Sequence, residues 1–183
     1  MSLLERFSRV LTVCERFMNG VAVIMMFLIM IIVVMDVMLR YFFNSPLAWS
    51  YELISLYLMV GLFFFTLSDA LRENVHVSVD LLHKYMPLRL RHAADMLGYG
   101  CASLVFAAIV YVSVQRTYVS FIDHDVIAGS IPWPTWLSNI AVPIGAGLML
   151  LRMLHRFVGH TLSLIAGRSV IELPPVSGSE GAN

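Results

Sequence analysis

Residues 17–35 read FMNGVAVIMMFLIMIIVVM, 19 residues without a charge between Arg16 and Asp36. At 1.5 Å of rise per residue a helix of that length covers about 28 Å, close to the ~30 Å hydrocarbon core of a bilayer. The run exceeds the apolar core of a signal peptide, and no small-x-small cleavage site follows it. It reads as a retained transmembrane span. Three more charge-poor windows lie further along the chain: residues 53–68, residues 96–115, and a stretch from near Thr135 to about Leu154. The expected fold is all-α, a polytopic membrane protein with four transmembrane helices. Arg152 is expected to snorkel toward the interface at the end of the fourth span.

The composition agrees. Of 183 residues, 59% are hydrophobic and 13% charged, against roughly 25% charged in a soluble domain. The mean hydropathy is +0.81. So few charges do not cover a water-facing surface. The net charge is zero, which leaves no electrostatic footprint for nucleic acid. Cys14 and Cys101 give no disulfide framework, and no Cys/His spacing suggests a metal site. No cofactor or metal is expected, and no catalytic arrangement is visible.

Charge asymmetry sets a direction. The N-terminal segment, the second connection and the C-terminal segment together carry ten Lys and Arg residues, and the other side has Arg40 and Arg116. Both termini are therefore expected in the cytoplasm. Trp49, Trp133 and Trp136 all fall on the outer side, where amphipathic rings favour the interface.

Between the spans, Asn44-Ser45-Pro46 is a turn signal. In the second connection, residues 75–79 alternate in a strand-like way. Leu81, Leu82, Tyr85 and Met86 then sit at helical spacing around Lys84, which suggests a cytoplasmic interfacial helix. Arg89 and Arg91 read as topology determinants that touch anionic lipid heads. Residues 1–160 form a single four-helix membrane domain with interfacial segments. Residues 161–183 form a C-terminal cytoplasmic segment, with a Pro/Gly/Ser-rich stretch over 173–183 that reads as a disordered tail.

Polar residues inside the windows are few, and apart from Arg152 at the end of the fourth the windows hold no charge. Buried charge is the usual mark of a transport path, so a scaffold is expected rather than a self-sufficient pump. Asp36 and Arg40 are four apart and share a helix face. With Glu52 at similar depth they form an expected interhelix network or a partner-docking cluster. Asp69, Arg72 and Glu73 read as a solvated helix end. Asp123-His124-Asp125 reads as a solvated loop. The six histidines fall outside the windows and give no facing pair for haem. Pro143 is expected to kink the fourth span, and Gly145 and Gly147 to allow close helix packing there, as Gly98 and Gly100 do in the third.

These residues resemble the small membrane subunit, DctQ, of tripartite ATP-independent periplasmic (TRAP) transporters. The run from Arg40 through Asn44, Pro46 and Trp49 to Glu52 resembles that family's first outer loop. His76-Val77-Ser78-Val79-Asp80 is similar to its His-x-x-Val-Asp segment. Ile131-Pro132-Trp133-Pro134-Thr135-Trp136 and Pro143-Ile144-Gly145 resemble the start of its last span. The resemblance covers about residues 16–152. It implies a large DctM-type membrane subunit, a periplasmic substrate-binding protein, and sodium-driven uptake of an organic acid across the cell inner membrane. Sodium and the organic acid are then handled mainly by the partner subunits. Arg40 and Glu52 become the first choices for organising the docking face. Two other readings stay open: a membrane anchor of a quinone-linked respiratory enzyme, and a small homodimeric transporter.

Overall fold

The computed structural model describes residues 3–72, 88–127, 129 and 131–166. The first helix, α1 (Leu3–Phe43), is 41 residues long. A short turn leads into α2 (Ser50–Leu53), a π-helical turn π1 (Ile54–Leu58) and α3 (Met59–Arg72). Then come α4 (Leu88–Ile122), a hairpin of β1 (Val126–Ile127) and β2 (Trp133–Pro134), α5 (Thr135–Asn139), and α6 (Ala141–Ala166). Among the described residues, four stretches are long and apolar enough to cross a membrane: Arg6–Phe43, Ser50–Leu71, Met96–Ile122 and Thr135–Gly159. The protein is an all-α polytopic membrane protein with one two-stranded ribbon.

The helices overrun the charge-free windows because helical hydrogen bonding does not stop at the hydrocarbon boundary. Asn44 ends α1 in the left-handed conformation, at φ 50°, which Asn tolerates better than most residues. Ser50 Oγ donates to Leu47 O at 2.8 Å as the next helix starts. His124, also at φ 50°, follows the end of α4. The hairpin then pairs Val126 with Pro134 and Ile127 with Trp133. The third connection is thus a small folded ribbon rather than a plain loop. The fourth span breaks at Ile140. Pro143 has no N–H to give the carbonyl of Asn139, so the helix is interrupted one turn before the proline. The segment after Leu154 continues α6 as far as Ala166.

The spans pack as a row. α1 lies against α3 and, around Ser8 to Glu15, against α6 as well; α3 lies against α6, and α6 against α4. A core of Leu71, Met149 and Met153, with Tyr99 and Phe106 packed on it, joins α3, α6 and α4. Gly145 is buried at the α3–α6 crossing, where a Cβ would collide with the backbone carbonyl of Phe64. At Gly147 a Cβ would meet nothing within 4 Å. Gly98 is equally open, and a Cβ on Gly100 would lie 3.2 Å from the Phe157 ring. The strand-like stretch 75–79, the interfacial helix around Lys84, and the 173–183 tail lie outside the described residues.

Candidate functional site

Two polar regions stand out. The first is inside the row, where α1 meets α3 and α6. Glu15 is 0% exposed and Arg152 5%. Arg152 Nε donates to Glu15 Oε1 at 2.8 Å, and Arg152 Nη2 pairs with Glu15 Oε2. Ser68 Oγ donates to Glu15 Oε1 at 2.7 Å. Arg152 also donates to Ser8 Oγ at 3.3 Å and to Thr12 Oγ1 at 3.1 Å. One turn further along α1, Asn19 Nδ2 donates to Asp69 Oδ2 at 2.8 Å. Burial without such partners is costly for a charge, so each hydrogen bond is a condition for the others.

This corrects two expectations. Arg152 does not snorkel outward; it turns inward onto Glu15. The row therefore holds a buried charge pair, although no apolar window contains one. Asp69 is likewise bonded to α1 rather than simply solvated. Nearby, Arg156 donates to Tyr99 Oη at 2.9 Å and to the Leu71 carbonyl at 3.0 Å, late in α3. It also lies over the Tyr99 ring, 5.7 Å from its centroid. A cation is well placed against the last carbonyls of a helix.

The second region is at the opposite end. Asp36 and Arg40 form an ion pair at 2.8 Å along α1. The other oxygen of Asp36 accepts the backbone N–H of Leu47 at 2.8 Å, which holds the loop that carries Asn44 against α1. A cleft of about 390 Å³ opens beside them, between Val33, Asp36, Arg40, Leu47 and Tyr51. Glu52 stands against the ribbon: a Cβ on Gly129 would collide with its carboxylate. Trp49 precedes α2, and its carbonyl accepts the Leu53 N–H at 3.2 Å. Tyr57 donates to the Pro134 carbonyl at 2.8 Å, and its ring lies 5.9 Å from that of Trp133. Ser138 Oγ donates to Leu56 O. The π turn of π1 thus offers both contacts to the start of the fourth span. Trp136 packs edge-on against Phe121, with centroids 5.7 Å apart. Asp123, His124 and Asp125 are exposed, and no group of metal-ligating side chains occurs among the described residues.

Residues 29–162 match a family described as tripartite ATP-independent periplasmic transporters, DctQ component. The chain belongs to the DctQ family. No curated protein sequence matches it significantly. Membership of the DctQ family implies association with a DctM-type subunit and a substrate-binding protein at the level of the family. The matched segment holds the Asp36–Glu52 region, the ribbon and Arg152, but starts fourteen residues after Glu15. In this DctQ chain the buried pair thus joins the matched segment to the stretch preceding it.

Glu15 was missed because it sits beside Arg16, at the edge of a window. A signal was present. Ser8, Thr12, Glu15 and Asn19 recur at helical spacing, four, three and four apart. They form a polar stripe down one face of α1. Such a stripe marks the inner face of a membrane helix. Arg89 and Arg91 fall in α4, and Lys84 lies outside the described residues.

Proposed function

We propose that this chain is the stationary scaffold of a TRAP transporter, holding a DctM-type subunit and helping to dock a periplasmic binding protein. The arrangement of the spans carries this reading. α1, α3 and α6 close directly on one another and are joined by hydrogen-bonded side chains. Its buried charges, Glu15 and Arg152, are neutralised by one another and spent on tying α1 to α6. That suits a wall and leaves substrate handling to another subunit. The Asp36–Arg40–Leu47 tie and the Glu52–Gly129 contact hold two outer segments at fixed height, which a docking face requires. Trp49, Trp133 and Trp136 support the same depth from the interface.

Transport is then secondary uptake of an organic acid coupled to sodium, in the cell inner membrane, with both termini cytoplasmic. The test is reconstitution of uptake in proteoliposomes. The large subunit with its binding protein takes up substrate under a sodium gradient only when this chain is present. This chain alone gives no uptake. Uptake by this chain alone, or full uptake without it, defeats the proposal.

A further inference from the structure

The apolar side chains exposed along α1 and α4 need only lipid tails around them. The cleft beside Asp36 and Arg40 differs in its walls. Val33, Asp36 and Arg40 come from α1, Leu47 and Ala48 from the loop, and Ile54 from the start of π1. Together they enclose about 390 Å³. The apolar depression that ends at Arg116, by contrast, is lined by α4 alone, from Val105 onward.

The cleft straddles the edge of the hydrocarbon. The charge-free window of α1 ends at Met35, and Arg40 follows five residues later, about 7.5 Å further along the helix. The headgroup layer is ~5–7 Å thick on each side of the hydrocarbon core, and a long side chain adapts the depth of its charged head to that layer. Val33 still lies inside the window of α1, and Ile54 inside the window 53–68. The cleft is therefore apolar at its deep end and charged at its shallow end. A phospholipid changes polarity in the same sense at the same depth, with its phosphodiester above its acyl chains.

The charged mouth is open and already oriented. The side chain of Arg40 is 62% exposed, and that of Asp36 15%. Arg40 Nη2 donates to Asp36 Oδ2, and Nε and Nη1 have no partner among the described residues. The Leu47 N–H occupies Asp36 Oδ1. The carboxylate thus fixes the guanidinium at the mouth and leaves its other donors for an anion. The pair carries no net charge, so a lone anion in water gains little from it. An anion whose apolar part also fills the cleft gains from both ends.

We infer that this cleft is a phospholipid site. Arg40 holds the phosphodiester, and the floor between Val33 and Ile54 takes the first carbons of an acyl chain. The Asp36–Leu47 tie then sets the loop at the height of a headgroup. The site rests on the cleft and its depth, and not on the transport role proposed above.

The test is native mass spectrometry of the full chain in mild detergent, titrated with dioleoylphosphatidylethanolamine. Two further probes divide that lipid: dioleoylglycerol lacks the phosphate, and glycerophosphoethanolamine lacks the chains. The first whole lipid is expected to bind about tenfold more tightly than either, the scale of one hydrogen bond to a charged group. Equal binding of dioleoylglycerol overturns the role of Arg40. Equal binding of glycerophosphoethanolamine overturns the lipid and leaves a site for soluble phosphate compounds. R40Q is expected to weaken the whole lipid by about the same tenfold, and R116Q to leave it unchanged. A48W fills the cleft but keeps the Asp36–Arg40 pair, and is expected to weaken the lipid as R40Q does. Equal losses from R40Q and R116Q, or unchanged binding by A48W, overturn the site. So does a parent chain with no saturable binding, which would leave the cleft to a protein segment.

Discussion

Glu15 and Arg152 lie 137 positions apart and share two contacts in the interior. Removing one partner strands the other charge among apolar helices. Such a loss costs about 3–5 kcal/mol, whereas replacing both with apolar residues of similar size is often neutral. Arg152→Met alone is thus expected to lower the unfolding temperature in mild detergent sharply. Glu15→Leu combined with Arg152→Met recovers most of that loss. Size-exclusion recovery after a graded heat step measures both variants. A double variant as unstable as the single one would show that Ser8, Thr12 and Ser68 depend on the charges themselves. At this scale the sequence was legible only in part. The polar stripe on α1 was there to be read, but nothing local to Arg152 says which helix it faces. The Glu52–Gly129 contact was equally hidden, since it depends on how the ribbon folds back. If that contact holds the ribbon, Gly129→Ala pushes the carboxylate away and is expected to raise protease cleavage within residues 123–134. Unchanged cleavage there would mean that the ribbon holds without it.

The elements were easier to foresee than their ends. A bilayer demands about 20 apolar residues per span, so four helices follow from four windows. It makes no such demand on where the helices stop, and α1 and α4 run well past the windows. The glycines of α6 show what packing adds. At Gly145 a new Cβ meets the Phe64 backbone, which has no flexible end to yield. Overpacking of this kind costs about 1–3 kcal/mol. At Gly147 a Cβ meets open space, and alanine gains up to ~1 kcal/mol of helix propensity. Gly145→Ala is therefore expected to destabilise the α3–α6 crossing, and Gly147→Ala to be neutral or mildly stabilising in the isolated chain. Loss of stability from Gly147→Ala in the assembled complex alone would place a partner against that position. Sequence spacing treats the two glycines alike, because it cannot say which side of α6 carries α3.

Across the whole molecule, direction depends on charge that faces water. The inward turn of Arg152 removes it from the cytoplasmic tally, because Glu15 neutralises it. Nine Lys and Arg residues remain against Arg40 and Arg116, and Arg40 is itself paired with Asp36. The bias survives the correction, since topology responds to cations in short flanking segments. Both termini should then face the cytoplasm, with the ribbon outside. The row allows a direct check, because Cys14 and Cys101 are free and replaceable by serine. In that background, Asp125→Cys is expected to react with a membrane-impermeant maleimide added to intact spheroplasts, and Arg6→Cys only after lysis. The reversed pattern inverts the protein and moves the Asp36–Arg40 cleft to the cytoplasm. A binding protein outside the cell membrane could not then reach it.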